Sequence, residues 1–165
     1  MDTKEPRQLF PEKLIDALDE ETIQAFQRLN ATSRDLMSCY RCAIMEIETK
    51  FRVLNERFSL HHDRNPIDAI QNRLKSPESI LDKMVRKNLP FTLEAIEANI
   101  FDIAGVRVVC SFIDDIYILA DCLLQQDDIR LIRRKDYIEN PKPNGYRSLH
   151  LLVEVPIFLQ DGKKL

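Results

Sequence analysis

The sequence predicts an α/β (α+β) fold, a mixed sheet flanked by helices and preceded by an N-terminal helical arm. Three observations predict it. The first 65 residues hold no glycine, and their only prolines are Pro6 and Pro11, while apolar residues recur at helical spacing. The β-branched run Ile103-Ala104-Gly105-Val106-Arg107-Val108-Val109-Cys110 then reads as a central strand. A helical segment and two further strand-like segments follow it. The arm is assigned to residues 1–60 and the α/β domain to residues 61–165.

In chain order, Pro11-Glu12 opens a first helix with Leu14, Ile15, Leu18, Ile23 and Phe26 on its apolar face. A second, longer helix carries Leu36, Tyr40, Ala43, Ile44, Ile47, Phe51, Leu54 and Phe58. Its long apolar stripe needs a partner, either the rest of the domain or another subunit. Asn65-Pro66 ends this helical half. Residues Ile67 to Leu74 suit a short helix or a strand, and both stay open. Ser76 is placed to cap the next helix, with Pro77 at its first position. Ile80, Leu81, Met84 and Val85 would form its buried face, and Pro90 would stop it. Thr92 caps a short helix over Leu93 to Ala98. After the central strand, Ile116, Leu119, Ala120, Leu123 and Leu124 make a helix, and Ile129 to Ile132 a second strand. Asn140 to Gly145 is a loop. Leu149 to Leu159 is a third strand, and Asp161-Gly162 a hairpin turn.

Composition narrows the function classes. Hydrophobic residues make up 44% and charged residues 31%, an ordinary globular balance. No apolar run approaches the roughly 18–20 residues that span a bilayer. The polar start Met1-Asp2-Thr3-Lys4-Glu5-Pro6 has no signal-peptide core, so a cytoplasmic location and no membrane partner are expected. Cys39-Tyr40-Arg41-Cys42 is formally a CxxC, but no second Cys/His pair stands at metal spacing. It reads as two helix-face thiols; Cys110 reads as core, and all four cysteines as reduced thiols. The net charge of -3 argues against DNA as a partner. Residues 71–87 carry five Lys/Arg against two acids, and residues 130–147 carry six against two. Two local basic segments in an acidic chain suit a small polyanion such as a nucleotide.

Three constellations could carry chemistry. On the Ser76-capped helix, Ser79, Lys83 and Lys87 recur every four residues and share a face. Arg73 and Lys75 arrive just before the helix N-terminus, whose free N–H groups favour an anion. This is a phosphate cradle or a solvated basic face. Asp102 heads the strand that carries Arg107, and a carboxylate entering a buried strand needs a partner, a metal or a capping role. The two residues are five apart, so a regular strand turns them to opposite faces. In the loop after Lys135, Tyr146 could stack a base, and Lys142 and Arg147 could hold phosphate. A polar hairpin loop is the plain alternative.

Taken together, these blocks resemble the synthetase domain of the Rel/SpoT family, in particular its small alarmone synthetases. The blocks are Arg73-x-Lys75-Ser76-x-x-Ser79-Ile80-x-x-Lys83, Asp102-Ile103-Ala104-Gly105-x-Arg107-Val108, and Lys135-Asp136-Tyr137-Ile138 leading to Asn144-Gly145-Tyr146-Arg147-Ser148-Leu149-His150. They occur in family order. The resemblance covers roughly residues 35–165 and includes Arg64-Asn65-Pro66-Ile67 and Asn88-Leu89-Pro90. It implies a nucleotidyltransferase-like fold, with residues 61–165 as the synthetase domain. It implies transfer of the β,γ-pyrophosphate of ATP to the 3′-hydroxyl of GDP or GTP, giving ppGpp or pppGpp and AMP.

By matching positions, the resemblance implies that Arg73 and Arg107 sandwich the adenine. Lys75, Ser79 and Lys83 hold the ATP phosphates, and Asp102 ligates Mg²⁺, with Mn²⁺ as an alternative. Tyr146 stacks on the acceptor guanine, with Lys142, Asn144 and His150 around it. The family's second catalytic carboxylate belongs to a Glu-x-Gln motif on the strand after the Asp161-Gly162 hairpin, and the sequence stops at Leu165. A chain cut there is expected to bind nucleotide and turn over poorly. His61-His62-Asp63 reads as a helix end, not as part of the family's hydrolase domain. A homotetramer is implied as well. Two other classes remain in view: a non-catalytic nucleotide sensor, and a single-stranded RNA binder, against which the net charge and the lack of repeated aromatics count.

Overall fold

A computed structural model describes residues 20–61, 64–160 and 162–165. Its elements are α1 (Glu20–His61), β1 (Ile67–Leu74), α2 (Pro77–Arg86), α3 (Leu93–Asn99), β2 (Ala104–Cys110), α4 (Ile113–Leu124), β3 (Arg130–Asp136), β4 (Leu149–Glu154), β5 (Ile157–Leu159) and β6 (Gly162–Lys164). The α/β class expected from the sequence is what the chain forms. Helix α1 runs 42 residues without a break. The sequence suggested two helices, divided between Phe26 and Leu36. No proline or glycine stands between residues 12 and 65, so nothing forces that division. The helix start at Pro11-Glu12 lies outside the described residues, as do His62 and Asp63 of the triplet that follows α1. Among the described residues, no helix is long and apolar enough to cross a membrane.

The chain divides into two compact units. One takes in α1 as far as Tyr40 together with Arg73–Ala104. Its core is Ile80, Met84, Ala95, Ile96, Ile100 and Ile103, flanked by Leu36, Met37, Tyr40, Leu74, Leu89 and Phe91. Helix α2 begins as expected: Pro77 stands in its first turn, and the Ser76 hydroxyl accepts the Ser79 N–H at 3.3 Å. Its buried face is Ile80, Leu81 and Met84. Val85, expected there, is exposed. It follows Met84 by 100° around the helix and falls past the edge of the apolar stripe. The helix stops before Pro90. Asn88 adopts a left-handed φ of 51°, its N–H reaches the Val85 carbonyl at 3.0 Å, and the Leu89 N–H reaches the Met84 carbonyl at 3.0 Å. That pair of bonds closes the last turn, and Leu89 folds back onto the core. Thr92 caps α3 by accepting the Ala95 N–H at 3.2 Å.

The other unit takes in Arg41–Asn72 and Gly105–Leu165. Its core is Phe51, Ile67, Leu119, Leu123, Ile129 and Val155, with Ala43, Ile47, Leu54 and Phe58 of α1 packed against it. Residues Ile67 to Leu74 form a strand, which resolves the open alternative, and β1 pairs with β2. Strands β3 and β4 pair antiparallel, with a bulge between Leu131 and Arg133. Strand β3 extends to Asp136 although its last residues are Arg133-Arg134-Lys135-Asp136. Pairing with the apolar β4 overrides their low strand propensity. The expected strand Leu149 to Leu159 is two strands. Val155-Pro156 separates them, because proline offers no N–H to a ladder. Strands β5 and β6 pair antiparallel through Leu159 and Gly162; Asp161 of the expected turn lies outside the described residues. Buried Asp115 is matched by Arg64, whose guanidinium donates to its two oxygens at 2.5 and 2.9 Å. A buried carboxylate without such a partner would be strongly destabilising. All four cysteines are free, and burial, with Asp115 and Asp68 nearby, raises the Cys110 thiol to about 11.

Met84 is fully buried at the centre of its core, so Met84→Ala is expected to cost about 2–5 kcal/mol. Urea unfolding should show a lower midpoint with an unchanged slope. Met45, which is exposed on α1, should tolerate alanine within about 0.5 kcal/mol.

Candidate functional site

The first cluster lies in the unit that holds α2 and α3. Ile100 and Ile103 are each 1% exposed and anchor the segment that leads into β2. Between them Asp102 projects outward, with about half of its side chain exposed. The Lys75 N–H donates to the Ile103 carbonyl at 2.7 Å, which ties the end of β1 to this segment. Lys75 Nζ donates to one oxygen of Asp102 at 2.9 Å, and Lys83 Nζ to the other at 2.7 Å. Lys83 comes from the second turn of α2, one turn after Ser79. The Ser76 and Ser79 hydroxyls are 3.1 Å apart at the helix start.

Partial burial would raise the Asp102 carboxyl, but hydrogen bonds from Lys83 and Lys75 outweigh it and hold the group down at about 2. Asp102 is therefore ionised at neutral pH. Lys75, Lys83 and Asp102 are thus brought together beside α2, with Ser79 one turn before Lys83 on that helix. Arg73 is exposed at the end of β1. Lys87, which the spacing put on the same face, instead donates to the Asn99 carbonyl at 3.0 Å. The Asp102 ion pairs with Lys75 and Lys83 were not foreseen in the sequence.

The second cluster lies in the other unit, on the loop between β3 and β4. Arg107 stands separately, exposed on β2. In the loop, the Gly145 N–H donates to the Lys142 carbonyl at 2.8 Å, and the Lys142 N–H to the Tyr146 carbonyl at 3.2 Å. Gly145 closes this turn with a φ of 79°, which a side chain would disfavour. The Asn144 side-chain oxygen accepts the Tyr146 N–H at 3.1 Å, so it serves the turn. Tyr146 Oη and His150 Nε2 share a hydrogen bond of 2.8 Å. Tyr137 meets both rings edge-on, with centroids 6.2 Å from Tyr146 and 5.2 Å from His150. Lys142 Nζ sits over the Tyr137 ring at 4.6 Å and the Tyr146 ring at 5.2 Å.

Lys142, Asn144, Tyr146 and His150 are thus brought together, as the sequence motif anticipated. Tyr137 joins them. The sequence motif contained it but gave it no role, and its signal was its place at the end of a strand that pairs with the His150 strand. Lys135 stands opposite His150 in that ladder. Desolvation, then Lys142 and Lys135, lower the His150 imidazole below its usual value, so the ring is neutral at pH 7. The cluster offers aromatic faces, a neutral imidazole and an ammonium, a set suited to a base with phosphate nearby.

Comparison with known proteins gives the same direction. A sequence pattern described as a region found in RelA / SpoT proteins matches residues 72–164, the stretch that holds every candidate residue. GTP pyrophosphokinase YwaC of Bacillus subtilis (strain 168) is 47% identical over 122 residues, which are 74% of this chain and 58% of that protein. The chain therefore spans less than two-thirds of that relative's length. Small alarmone synthetase 2 of Bacillus subtilis superposes with a TM-score of 0.69 at 40% identity, covering 79% of this chain and 66% of that one. Small alarmone synthetase 1 of the same organism, bound to its product pppGpp, superposes with a TM-score of 0.71 at 35% identity, covering 81% and 68%. With more than half of its length matched by the pattern and both clusters inside the match, the chain belongs to the RelA/SpoT family.

Proposed function

We propose that this chain carries the synthetase function of its family: transfer of the β,γ-pyrophosphate of ATP to the 3′-hydroxyl of GDP or GTP, giving ppGpp or pppGpp and AMP. The observation that carries the reading is the cluster in which Lys75, just before α2, and Lys83, on α2, both reach Asp102. Two ammonium groups and a helix N-terminus suit polyphosphate, and an ionised carboxylate among them suits a cation that travels with it. We assign Lys75, Ser79 and Lys83 to the ATP phosphates, and Arg73 and Arg107 to adenine. Lys142, Asn144, Tyr146 and His150 are assigned to the acceptor nucleotide. The pppGpp held by the related small alarmone synthetase 1 supports a guanosine nucleotide as that acceptor.

Among the described residues, no three His, Cys, Asp or Glu side chains gather as a metal site. Mg²⁺ is commonly held by one or two carboxylates together with substrate phosphates, so a single Asp102 fits such an ion, and would fit Mn²⁺ as well. Held there by Asp102, such a cation would neutralise charge that develops during pyrophosphoryl transfer. Lys75 and Lys83 orient the phosphates, and Tyr146 presents a face for the base. We assign the synthetase domain to residues 61–165 and a helical region to residues 1–60. We further propose a cytoplasmic homotetramer; the apolar side chains of Met45, Val53 and Leu60, exposed on α1, support self-association.

The test uses Mg²⁺, γ-labelled ATP and GDP or GTP, with a chain that includes the family's Glu-x-Gln strand. Label should move onto the guanosine nucleotide. Asp102→Ala should lower the rate by about a hundredfold or more, since a metal contributes several kcal/mol at this step. ATP binding without transfer would favour a nucleotide sensor instead. A separate check concerns His150. Its fold-lowered value favours the neutral form, so its stabilising contribution is present above the ordinary pKa of about 6.5 and is lost as pH falls through the folded value. NMR titration of the ring should give a midpoint below 6.5, and Lys142→Met should move it upward. A midpoint at or above 6.5 would remove the electrostatic account of this cluster.

A further inference from the structure

The acceptor loop has an internal brace that the assignments above do not use. Asp136 ends β3, opposite Leu149 of β4. A single oxygen, Oδ1, accepts the Ile138 N–H at 3.0 Å and the Glu139 N–H at 3.1 Å. The Asn140 N–H reaches the Asp136 carbonyl at 3.3 Å, so the same residue closes the turn from both its side chain and its backbone. The Tyr137 N–H donates across to the Ser148 carbonyl at 2.9 Å. The other carboxylate oxygen faces Arg134 at 3.7 Å. The Tyr117 hydroxyl of α4 donates to the carboxylate as well. The side chain is 14% exposed, so these partners replace water. Buried Ile138 pins the middle of the turn, and Arg147 donates to its carbonyl at 3.4 Å.

Tyr137, the residue between Asp136 and Ile138, is the ring that backs both Tyr146 and His150 and lies under Lys142. Its ring position depends on the backbone course that the two Asp136 bonds impose. We infer that Asp136 is a positioning residue for the acceptor nucleotide: it acts through the turn to hold Tyr137, and through Tyr137 the faces of Tyr146 and His150. The inference rests on the assignment of this loop to the guanosine nucleotide. To the turn, what Asp136 supplies is the acceptor oxygen Oδ1, while its other oxygen faces Arg134. Asparagine carries an equivalent oxygen and can replace it; alanine cannot.

The experiment compares Asp136→Ala and Asp136→Asn with the parent chain by calorimetric titration with GDP and, separately, with a non-hydrolysable ATP analogue, in Mg²⁺. Amide hydrogen exchange at Ile138 and Glu139 is followed in parallel. Alanine should weaken GDP by about tenfold, leave the ATP analogue unchanged, and expose both amides. Asparagine should keep GDP binding within about twofold and keep both amides protected. Equal weakening of both nucleotides by alanine would reduce Asp136 to a general structural role and overturn the inference. So would asparagine behaving like alanine, which would make the charge the active element. Should the alanine variant not fold, the asparagine variant decides alone: parent-like GDP affinity and protection support the inference, and loss of either rejects it. A parent chain that binds the ATP analogue but not GDP overturns the acceptor assignment itself, and this inference with it. Parent GDP binding that alanine leaves unchanged overturns the inference only.

Discussion

Lys75 and Lys83 both reach Asp102, one ammonium on each carboxylate oxygen, at 2.9 and 2.7 Å. Two cations drawn to one spot repel unless an anion stands between them. Asp102 is that anion, and its position is set by burial rather than by charge. Ile100 and Ile103 are sealed into the core on either side of it, which leaves Asp102 little choice of place. The start of α2 is set in a similarly local way, by the Ser76 cap and by Pro77. A carboxylate and a helix start, each anchored by its own neighbours, thus hold two long and otherwise mobile side chains in one geometry. Lysine side chains lose considerable rotamer freedom when fixed, so the ion pairs alone would not hold them. Their stems are mostly covered, with 11% and 24% of the side chains exposed, and that packing shares the cost.

In the other unit, residues 130–147 carry six Lys/Arg against two acids, and this local cationic excess is managed differently. Arg130 pairs with Glu154 across the strands, and Arg134 lies near Asp136 on its own strand. Lys142 rests over two tyrosine rings. A ring face is a weaker partner than a carboxylate, and it is also the surface on which a base stacks. The lowered His150 imidazole belongs to the same balance, because desolvation first, and then Lys142 and Lys135, disfavour a third positive charge there.

Much of the fold was legible because it is written locally. Ser76-Pro77 and Thr92 are caps whose partners lie three residues away, and the structure shows both bonds. Asn144-Gly145 announced a turn, and the turn needs the positive φ of Gly145. What misled the reading was decided by other parts of the chain or by a missing signal. The helical arm was divided in two although residues 12–65 contain no breaker, and a continuous helix was the simpler reading. The sequence places the second strand at Ile129 to Ile132, whereas β4 supplies a ladder that carries β3 on through charged residues to Asp136. Pro156 was in plain view and should have divided the third strand, since its missing N–H does so whatever the neighbours are.

The candidate site was legible as residue types and spacing, and illegible as contacts. Lys75, Lys83 and Asp102 were singled out separately, two as phosphate ligands and one as a metal ligand. Their spacing along the chain, 8 and 19 residues, carries no periodicity that would join all three; the packing of Ile100 and Ile103 and the Lys75 N–H bond to the Ile103 carbonyl do so. Tyr137 was overlooked for a related reason. An aromatic residue at a strand end reads as ordinary strand composition. Its meaning appears when the ladder sets Lys135 opposite His150 and the turn braced by Asp136 brings the ring against Tyr146. Asn144 shows the converse. Its motif position suggests a ligand contact, and its side-chain oxygen also accepts the Tyr146 N–H. A residue of a binding motif can thus shape the loop that binds as well as face a ligand.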